Sequence, residues 1–287
     1  MGIKELTINY KNIPIYLLVY ENGKEMPSII FIHGITLHVG VYNNFLNLIG
    51  KENLNVVALD LPGHGKSGGR RGEFTYEDLI GSISEVVKFV VKNYNPEVAI
   101  FGSSLGGILA FYAAILDPNV KTVICHNVLD LKEIFSFLPF LKRKFLLFNF
   151  GKFLVPFFKI FSRFYLPVKF IVNENWLFED EESIKKWKKD PLCVHKYRVA
   201  SLMSLFLTPN NKPAITEMKK PVRIIIGERD PIIPLEYIKE FYSKLKCKKD
   251  LVIVPEAKHM LPLEFPHLTA SLVIGWVKKE LKSFKEV

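Results

Sequence analysis

One stretch of this chain, Gly102-Ser103-Ser104-Leu105-Gly106-Gly107, sets a serine between glycines at the spacing G-x-S-x-G. An apolar run, Val98–Phe101, precedes it, and a helical pattern, Leu105–Leu116, follows it. A serine on so sharp a strand-to-helix turn has a strained backbone. The residues two before and two after it crowd each other, so both must be glycine. Ser104 has Gly102 and Gly106 there, whereas Ser103 has Phe101 and Leu105, so Ser104 is the candidate nucleophile. A serine hydroxyl attacks at neutral pH only with a base beside it and an acid that orients the base.

Two later loops supply such groups. Strand-like Leu251–Val254 runs into Pro255-Glu256-Ala257-Lys258-His259, and a histidine after the last strand can reach the serine turn. His259 is the candidate base; His267 follows Pro266 at a predicted helix start and reads as a surface residue. Strand-like Val222–Ile226 runs into Gly227-Glu228-Arg229-Asp230. Asp230 then lies at a strand's carboxyl end, where open α/β sheets build their sites. Asp130 follows another strand, preserves the same Ser, Asp, His order and stays open as the alternative acid. The acid would hold the tautomer of His259 and stabilise the imidazolium.

A negative charge developing on a substrate oxygen needs fixed donors. Strand-like Ser28–Ile32 ends in His33-Gly34-Ile35, a turn that can aim the backbone N–H of Ile35 at the serine. The second donor is the N–H of Leu105, which opens a helix where N–H groups are unpaired. His33 reads as a brace for the turn. Asp60-Leu61-Pro62-Gly63-His64-Gly65-Lys66-Ser67 is glycine-rich but does not match G-x-x-x-x-G-K-[ST], so it reads as a structural turn and not a phosphate cradle.

The elements that must carry these residues follow a rhythm. Leu6–Tyr10 and Ile15–Val19 alternate as an antiparallel hairpin. Short apolar runs at Ser28–Ile32, Asn55–Leu59, Glu97–Phe101 and Lys121–Cys125 then alternate with helical patterns at Val41–Ile49, Tyr76–Val91 and Leu105–Leu116. After residue 215 the rhythm resumes, with strands at Val222–Ile226 and Leu251–Val254 and helices at Leu235–Leu245 and His267–Leu281. This predicts an α/β protein with a mostly parallel sheet.

Between Asp130 and Pro209 the rhythm breaks. Of 23 Phe, 13 fall from Phe135 to Phe178. Residues 131–170 hold 8 Lys or Arg and one acid, Glu133, a local excess of +7, so most of the chain's net +10 is matched by one insertion. Lys152, Lys159 and Arg163 would share one helix face. Either the segment is an interfacial helix for an anionic membrane, or its Phe residues pack on the core under solvated lysines. Pro139, Pro156 and Pro167 limit it to short helices. Either way the pocket beneath suits an acyl chain.

The remaining composition excludes several classes. With 49% hydrophobic and 24% charged residues the chain is globular and not disordered. Cys125, Cys193 and Cys247 form no CxxC pair, which argues against a disulfide scaffold or zinc ribbon. No nucleic-acid module is visible. No signal peptide and no run long enough to span a membrane are read, and Leu6 breaks a myristoylation motif begun by Gly2, so a cytoplasmic address is expected.

Together these segments resemble the α/β-hydrolase superfamily, and within it the monoglyceride lipase and lysophospholipase branch. His33-Gly34-Ile35-Thr36-Leu37-His38-Val39-Gly40-Val41-Tyr42 echoes that branch's HG-x-G-E-H-S-G-x-Y stretch, with Thr36-Leu37 in place of Gly-Glu. Asp60 through Gly63-His64-Gly65 and Ser67 to Arg71-Gly72 echoes D-x-x-GHG-x-S and the run that follows it. Asp190-Pro191-Leu192 echoes an Asp-Pro-Leu of the family's cap. The resemblance implies an α/β-hydrolase fold: a core of residues 1–129 and 210–287, with a helical cap at 130–209. It implies Ser104, Asp230 and His259 as the triad, with no metal and no organic cofactor. The expected activity is hydrolysis of lipid-like esters, of monoacylglycerol or lysophospholipid type. An acyltransferase, a thioesterase or a small-ester carboxylesterase with the same triad is the alternative. A dehalogenase or epoxide hydrolase is disfavoured, because those relatives carry Asp where this chain has Ser104.

Overall fold

The computed structural model describes residues 1–133, 160–178, 181–208 and 211–282. Its centre is an eight-stranded sheet, antiparallel at one edge and parallel across the rest. The first two strands, β1 (Gly2–Tyr10) and β2 (Ile13–Glu21), form the antiparallel hairpin. They are longer than their alternating segments suggested, because pairing continues from Gly2↔Glu21 to Tyr10↔Ile13. Strand β2 joins β4 (Asn55–Leu59) antiparallel. Every other pairing in the sheet is parallel: β4 with β3 (Ser28–Ile32), β3 with β5 (Val98–Ser103), β5 with β6 (Val120–His126), β6 with β9 (Val222–Gly227), and β9 with β10 (Lys249–Val254).

The apolar runs become strands because both sheet faces are covered. All residues of β3, β4 and β5 are buried. Helix α1 (Asn43–Gly50) is preceded by a 3-10 turn, Val39–Tyr42, capped by the His38 side chain, so the expected single helix over Val41–Ile49 is divided. Helix α2 (Tyr76–Asn93) starts where the Thr75 side chain accepts from Asp78 N–H, and it turns Leu79, Ile83, Val86, Val87 and Val90 inward as its spacing predicts. Helix α3 (Leu105–Leu116) is buried along nearly its whole length.

Between β6 and β9 the chain leaves the sheet. The described part holds a two-stranded ribbon, β7 (Tyr165–Pro167) with β8 (Lys196–Arg198), and short helices α4 (Glu174–Leu177), α5 (Glu181–Lys189) and α6 (Val199–Phe206). The positions expected to share a basic helix face, Lys152 and Lys159, lie outside the described residues; Arg163 lies within them. Helices α7 (Leu235–Lys244), α8 (Leu261–Glu264) and α9 (Pro266–Glu280) complete the layers, and buried Trp276 of α9 donates its indole N–H to Thr122 Oγ1 of β6 at 2.8 Å. Among the described residues no helix is long and apolar enough to cross a membrane.

Candidate active site

The carboxyl ends of adjacent parallel strands bring the chemistry-bearing residues together. Across the sheet, β3, β5, β6, β9 and β10 are followed by Ile35, Ser104, Asn127, Asp230 and His259 in that spatial order.

Ser104 sits at φ 55 and ψ −117, a strained conformation for a residue with a side chain. The glycines permit it. A Cβ on Gly102 would come 1.9 Å from Gly106 O, and one on Gly106 would come 2.1 Å from Ile32 O. The Ser104 N–H donates to His126 O at 2.8 Å, which ties the turn to β6. The Ser104 hydroxyl lies 2.9 Å from His259 Nε2, and His259 Nδ1 lies 2.8 Å from Asp230 Oδ2. A carboxylate only accepts, so Nδ1 carries the proton and Nε2 is left to accept from Ser104. His259 is almost fully buried.

Asp230 has partners on both oxygens. Oδ1 accepts from the N–H groups of Ile232 (2.8 Å) and Ile233 (2.9 Å), while Oδ2 accepts from His259 and from Asn127 Nδ2 (2.9 Å). Burial opposes ionisation, but the charge and hydrogen bond of His259 and those two N–H groups outweigh it and hold the carboxyl below its ordinary range. The alternative acid, Asp130, is elsewhere engaged. It accepts from the N–H groups of Lys132 and Glu133 through Oδ1, and its own N–H donates to Tyr237 Oη. His267 is exposed on α9.

Ile35, one of the two proposed oxyanion donors, lies in the turn after β3. Leu105 is the first residue of α3, and among the described residues no acceptor takes its N–H or that of Ile35. His33 braces the turn as expected: Nδ1 donates to Gly34 O (2.8 Å) and Nε2 accepts from Leu61 N–H (3.0 Å). The 60–67 segment folds as a structural turn. Asp60 accepts from Val39 N–H (2.7 Å) and Lys66 N–H (2.8 Å), and a Cβ on Gly65 would lie 2.0 Å from its carboxylate.

Two further residues belong to this arrangement and carried no sequence signal. Asn127 adopts φ 69 and donates to Asp230. Buried His126 accepts from Ser103 Oγ (3.1 Å), next to the candidate nucleophile, and hydrogen-bonds the backbone of His259. Burial, then the nearby His259 charge, pushes its pKa down to about 3, so it stays neutral. A histidine ending a buried apolar strand was the only mark it left in the sequence.

Among the described residues one group has metal-ligand geometry: His38, Asp190 and Cys193, with donor atoms within 4.8 Å of one another. His38 Nδ1 accepts from Gly40 N–H (3.1 Å), which puts the ring proton on Nε2 and makes the 2.9 Å contact to Asp190 Oδ2 a hydrogen bond. The arrangement is satisfied without an ion.

Residues 23–265 match the family model described as serine aminopeptidase, S33. A hydrolase of Bacillus subtilis named YugF, itself uncharacterised, is 22% identical over 96% of this chain and 98% of its own. A pimeloyl-(acyl-carrier protein) methyl ester esterase of Methylococcus capsulatus is 24% identical over 89% of this chain and 96% of its own. Among solved structures, the monoacylglycerol lipase of Paleococcus ferrophilus superposes with a TM-score of 0.71 at 20% identity, covering 96% of this chain and 98% of that one. A soluble variant of monoglyceride lipase from Saccharomyces cerevisiae gives 0.76 at 14% identity, covering 98% and 96%. At such identities these structures speak for the fold.

Proposed function

The chain belongs to the serine aminopeptidase S33 family of α/β-hydrolases and is a serine hydrolase, and from that premise we propose that it cleaves carboxylic esters of lipid-like substrates, monoacylglycerol or lysophospholipid in class, through an acyl-enzyme on Ser104. The observation that carries the reading is the line from Asp230 Oδ2 to His259 Nδ1 at 2.8 Å and from His259 Nε2 to Ser104 Oγ at 2.9 Å. In this reading Ser104 Oγ attacks the ester carbonyl while His259 Nε2 takes its proton. The carbonyl oxygen becomes an oxyanion that accepts from the N–H groups of Ile35 and Leu105. Asp230 stays ionised and stabilises the imidazolium. The intermediate collapses, the alcohol leaves with the proton from His259, and water deprotonated by the same base releases the acid.

Support for a lipid-like substrate comes from the inserted segment. Phe161, Phe164, Leu166, Val199, Leu202 and Phe206 help line an apolar cavity of about 610 Å³ within that segment, whose described lining does not include Ser104, Asp230 or His259. The positive excess of residues 131–170 supports peripheral contact with an anionic lipid surface from a cytoplasmic position. The division into a core of 1–129 and 210–287 and a cap of 130–209 belongs to the same proposal. A second reading is favoured by the methyl ester esterase match over most of the chain, namely a small alcohol leaving from a longer acyl group.

The test is hydrolysis of p-nitrophenyl esters from acetate to palmitate, with Ser104→Ala beside the unaltered protein. A rate that peaks at medium or long chains and vanishes in the variant supports the lipid esterase. A peak at acetate indicates a small-ester carboxylesterase, and activity surviving in Ser104→Ala removes the acyl-enzyme assignment.

A further inference from the structure

The turn that carries the Ile35 N–H is not held by the sheet alone. Residue Thr36 adopts φ 70, an unfavourable conformation for a β-branched side chain that persists only where neighbours impose it. Both its backbone groups are bound by the segment inserted between β6 and β9. Its N–H donates to Tyr197 Oη at 2.8 Å, and its carbonyl accepts from Val194 N–H at 2.8 Å. Nearby, Asp190 holds His38.

The Tyr197 hydroxyl is committed in both directions. His64 Nδ1 donates to Pro62 O (3.0 Å), so its Nε2 is a bare acceptor, 2.8 Å from Tyr197 Oη. Tyr197 therefore donates to His64 and accepts from Thr36. It is fully buried, its ring packs against His64 and Phe74, and phenylalanine would fill the same space without either bond. The next residue, Arg198, donates its N–H to Gly72 O (3.1 Å), where a Cβ on Gly72 would meet Lys196 O at 2.2 Å. The strap from Asp190 to Arg198 thus lies directly against the oxyanion turn and the 60–72 turn.

We propose that Tyr197 is a positioning residue for ester cleavage: it fixes the strained Thr36 peptide and so aims the preceding Ile35 N–H at the carbonyl oxygen on Ser104. The proposal rests on the assignment of Ile35 as an oxyanion donor. It makes the inserted segment a working part of the transition-state site. An oxyanion donor that is present but misaimed loses transition-state binding and leaves substrate binding intact.

The experiment compares Tyr197→Phe with the unaltered full chain on p-nitrophenyl esters, together with a trifluoromethyl ketone that mimics the tetrahedral intermediate. We expect kcat to fall about 10- to 100-fold with KM changed less than about threefold, and ketone affinity to fall in step with kcat/KM. An unaltered kcat per folded molecule, with the folded fraction read by near-UV circular dichroism, overturns the proposal. If Tyr197→Phe does not accumulate folded, Asp190→Ala at the half-exposed end of the strap decides. A severalfold lower kcat at constant KM supports the positioning role, and an unchanged kcat overturns it. Ser104→Ala separates the two levels. If it stays active, the reading of the site falls and this proposal with it. If it is inactive beside an unimpaired Tyr197→Phe, only the positioning role falls.

Discussion

The sheet and the segment inserted into it use similar apolar residues in opposite ways. In β3, β4 and β5 every residue is buried, and the catalytic candidates extend from the ends of those fixed strands and their neighbours. In the inserted segment Phe164 is 63% exposed and Phe170 68%, and two helices are only a turn or two long. Yet this looser region contributes the buried Tyr197 and Val194 that bind the Thr36 backbone, and the half-exposed Asp190 that holds His38. The difference separates two tasks. Position is set by strands that cannot shift without breaking the core, while the inserted segment joins that core through buried apolar residues such as Val168, Val194 and Leu205 and reaches the Thr36 turn through a few polar bonds.

The sharpest way to break this comparison is to remove the chemistry from the sheet side. Ser104→Ala is expected to lower kcat by about 10⁴- to 10⁶-fold, and Asp230→Asn by about 10⁴-fold because it presents His259 with the wrong tautomer. Thermal unfolding should show both variants folded. If either retained more than a tenth of the activity in an ester assay, the sheet edge would not be where the reaction occurs.

Acid stability offers the next largest effect, again on the core side. His33, His64 and His126 are fully buried, and burial first of all pushes their pKa values down to about 4, 3 and 3. An unfolded histidine titrates near 6.5, so between about pH 6.5 and 4 the unfolded chain binds protons that the native chain refuses. Stability must therefore fall as pH falls, by up to about 1.4 kcal/mol per pH unit for each histidine. Denaturant unfolding at pH 7 and pH 5 measures it. Equal free energies at the two values would mean that these rings can be protonated in place.

Much of the sheet side was legible because burial and spacing agree there. Uniform apolar runs predict the parallel strands, and Leu79, Ile83, Val86, Val87 and Val90 announce the inner face of α2. Ser104 was legible because its turn leaves no room for a Cβ at Gly102 or Gly106, a constraint that writes itself into residue type. His259 and Asp230 could be picked from strand ends, although Asp130 was excluded only by its engagement with Lys132 and Glu133. His126 and Asn127 were not legible, since a buried polar residue at the end of a strand has no distinctive spacing. The Tyr197 grip was hidden for a different reason: 161 residues separate it from Thr36, and no local pattern reports such a contact. Asp190-Pro191-Leu192 was visible as a motif, but not its hold on His38.

A smaller effect tests whether Asn127 earns its place beside the acid. Asn127→Ala removes the second donor to Asp230 Oδ2 and should lower kcat about tenfold. Losing that donor moves the depressed Asp230 pKa back toward the ordinary value. A depressed carboxylate contributes stability above its unfolded pKa, near 4, that is lost as pH falls through the folded pKa. The variant should therefore be less stable at neutral pH and lose less on acidification. A pH series of unfolding free energies checks the sign, and an unchanged kcat would reduce Asn127 to a turn residue.

The smallest effects compare one ion pair from each region. Lys188 of α5 meets Glu174 of α4 at 2.7 Å, with side chains 51% and 35% exposed. Water screens such a pair and two long side chains must be ordered to make it, so Lys188→Met should cost less than about 1 kcal/mol. Arg223 on β9 pairs with Asp250, donates to Leu272 O at 2.8 Å and stacks 4.8 Å from the Trp276 ring. Removing it strands several partners at once, so Arg223→Met should cost about 1–3 kcal/mol. Urea unfolding of the two variants gives the ratio directly. If Lys188→Met proved the costlier, the inserted segment would be held by its surface charges, and raising salt should then loosen it and lower kcat along with stability. If Arg223→Met is costlier, charge pairs in the inserted segment are incidental, and its hold on the core rests on the buried contacts at Tyr197 and Val194.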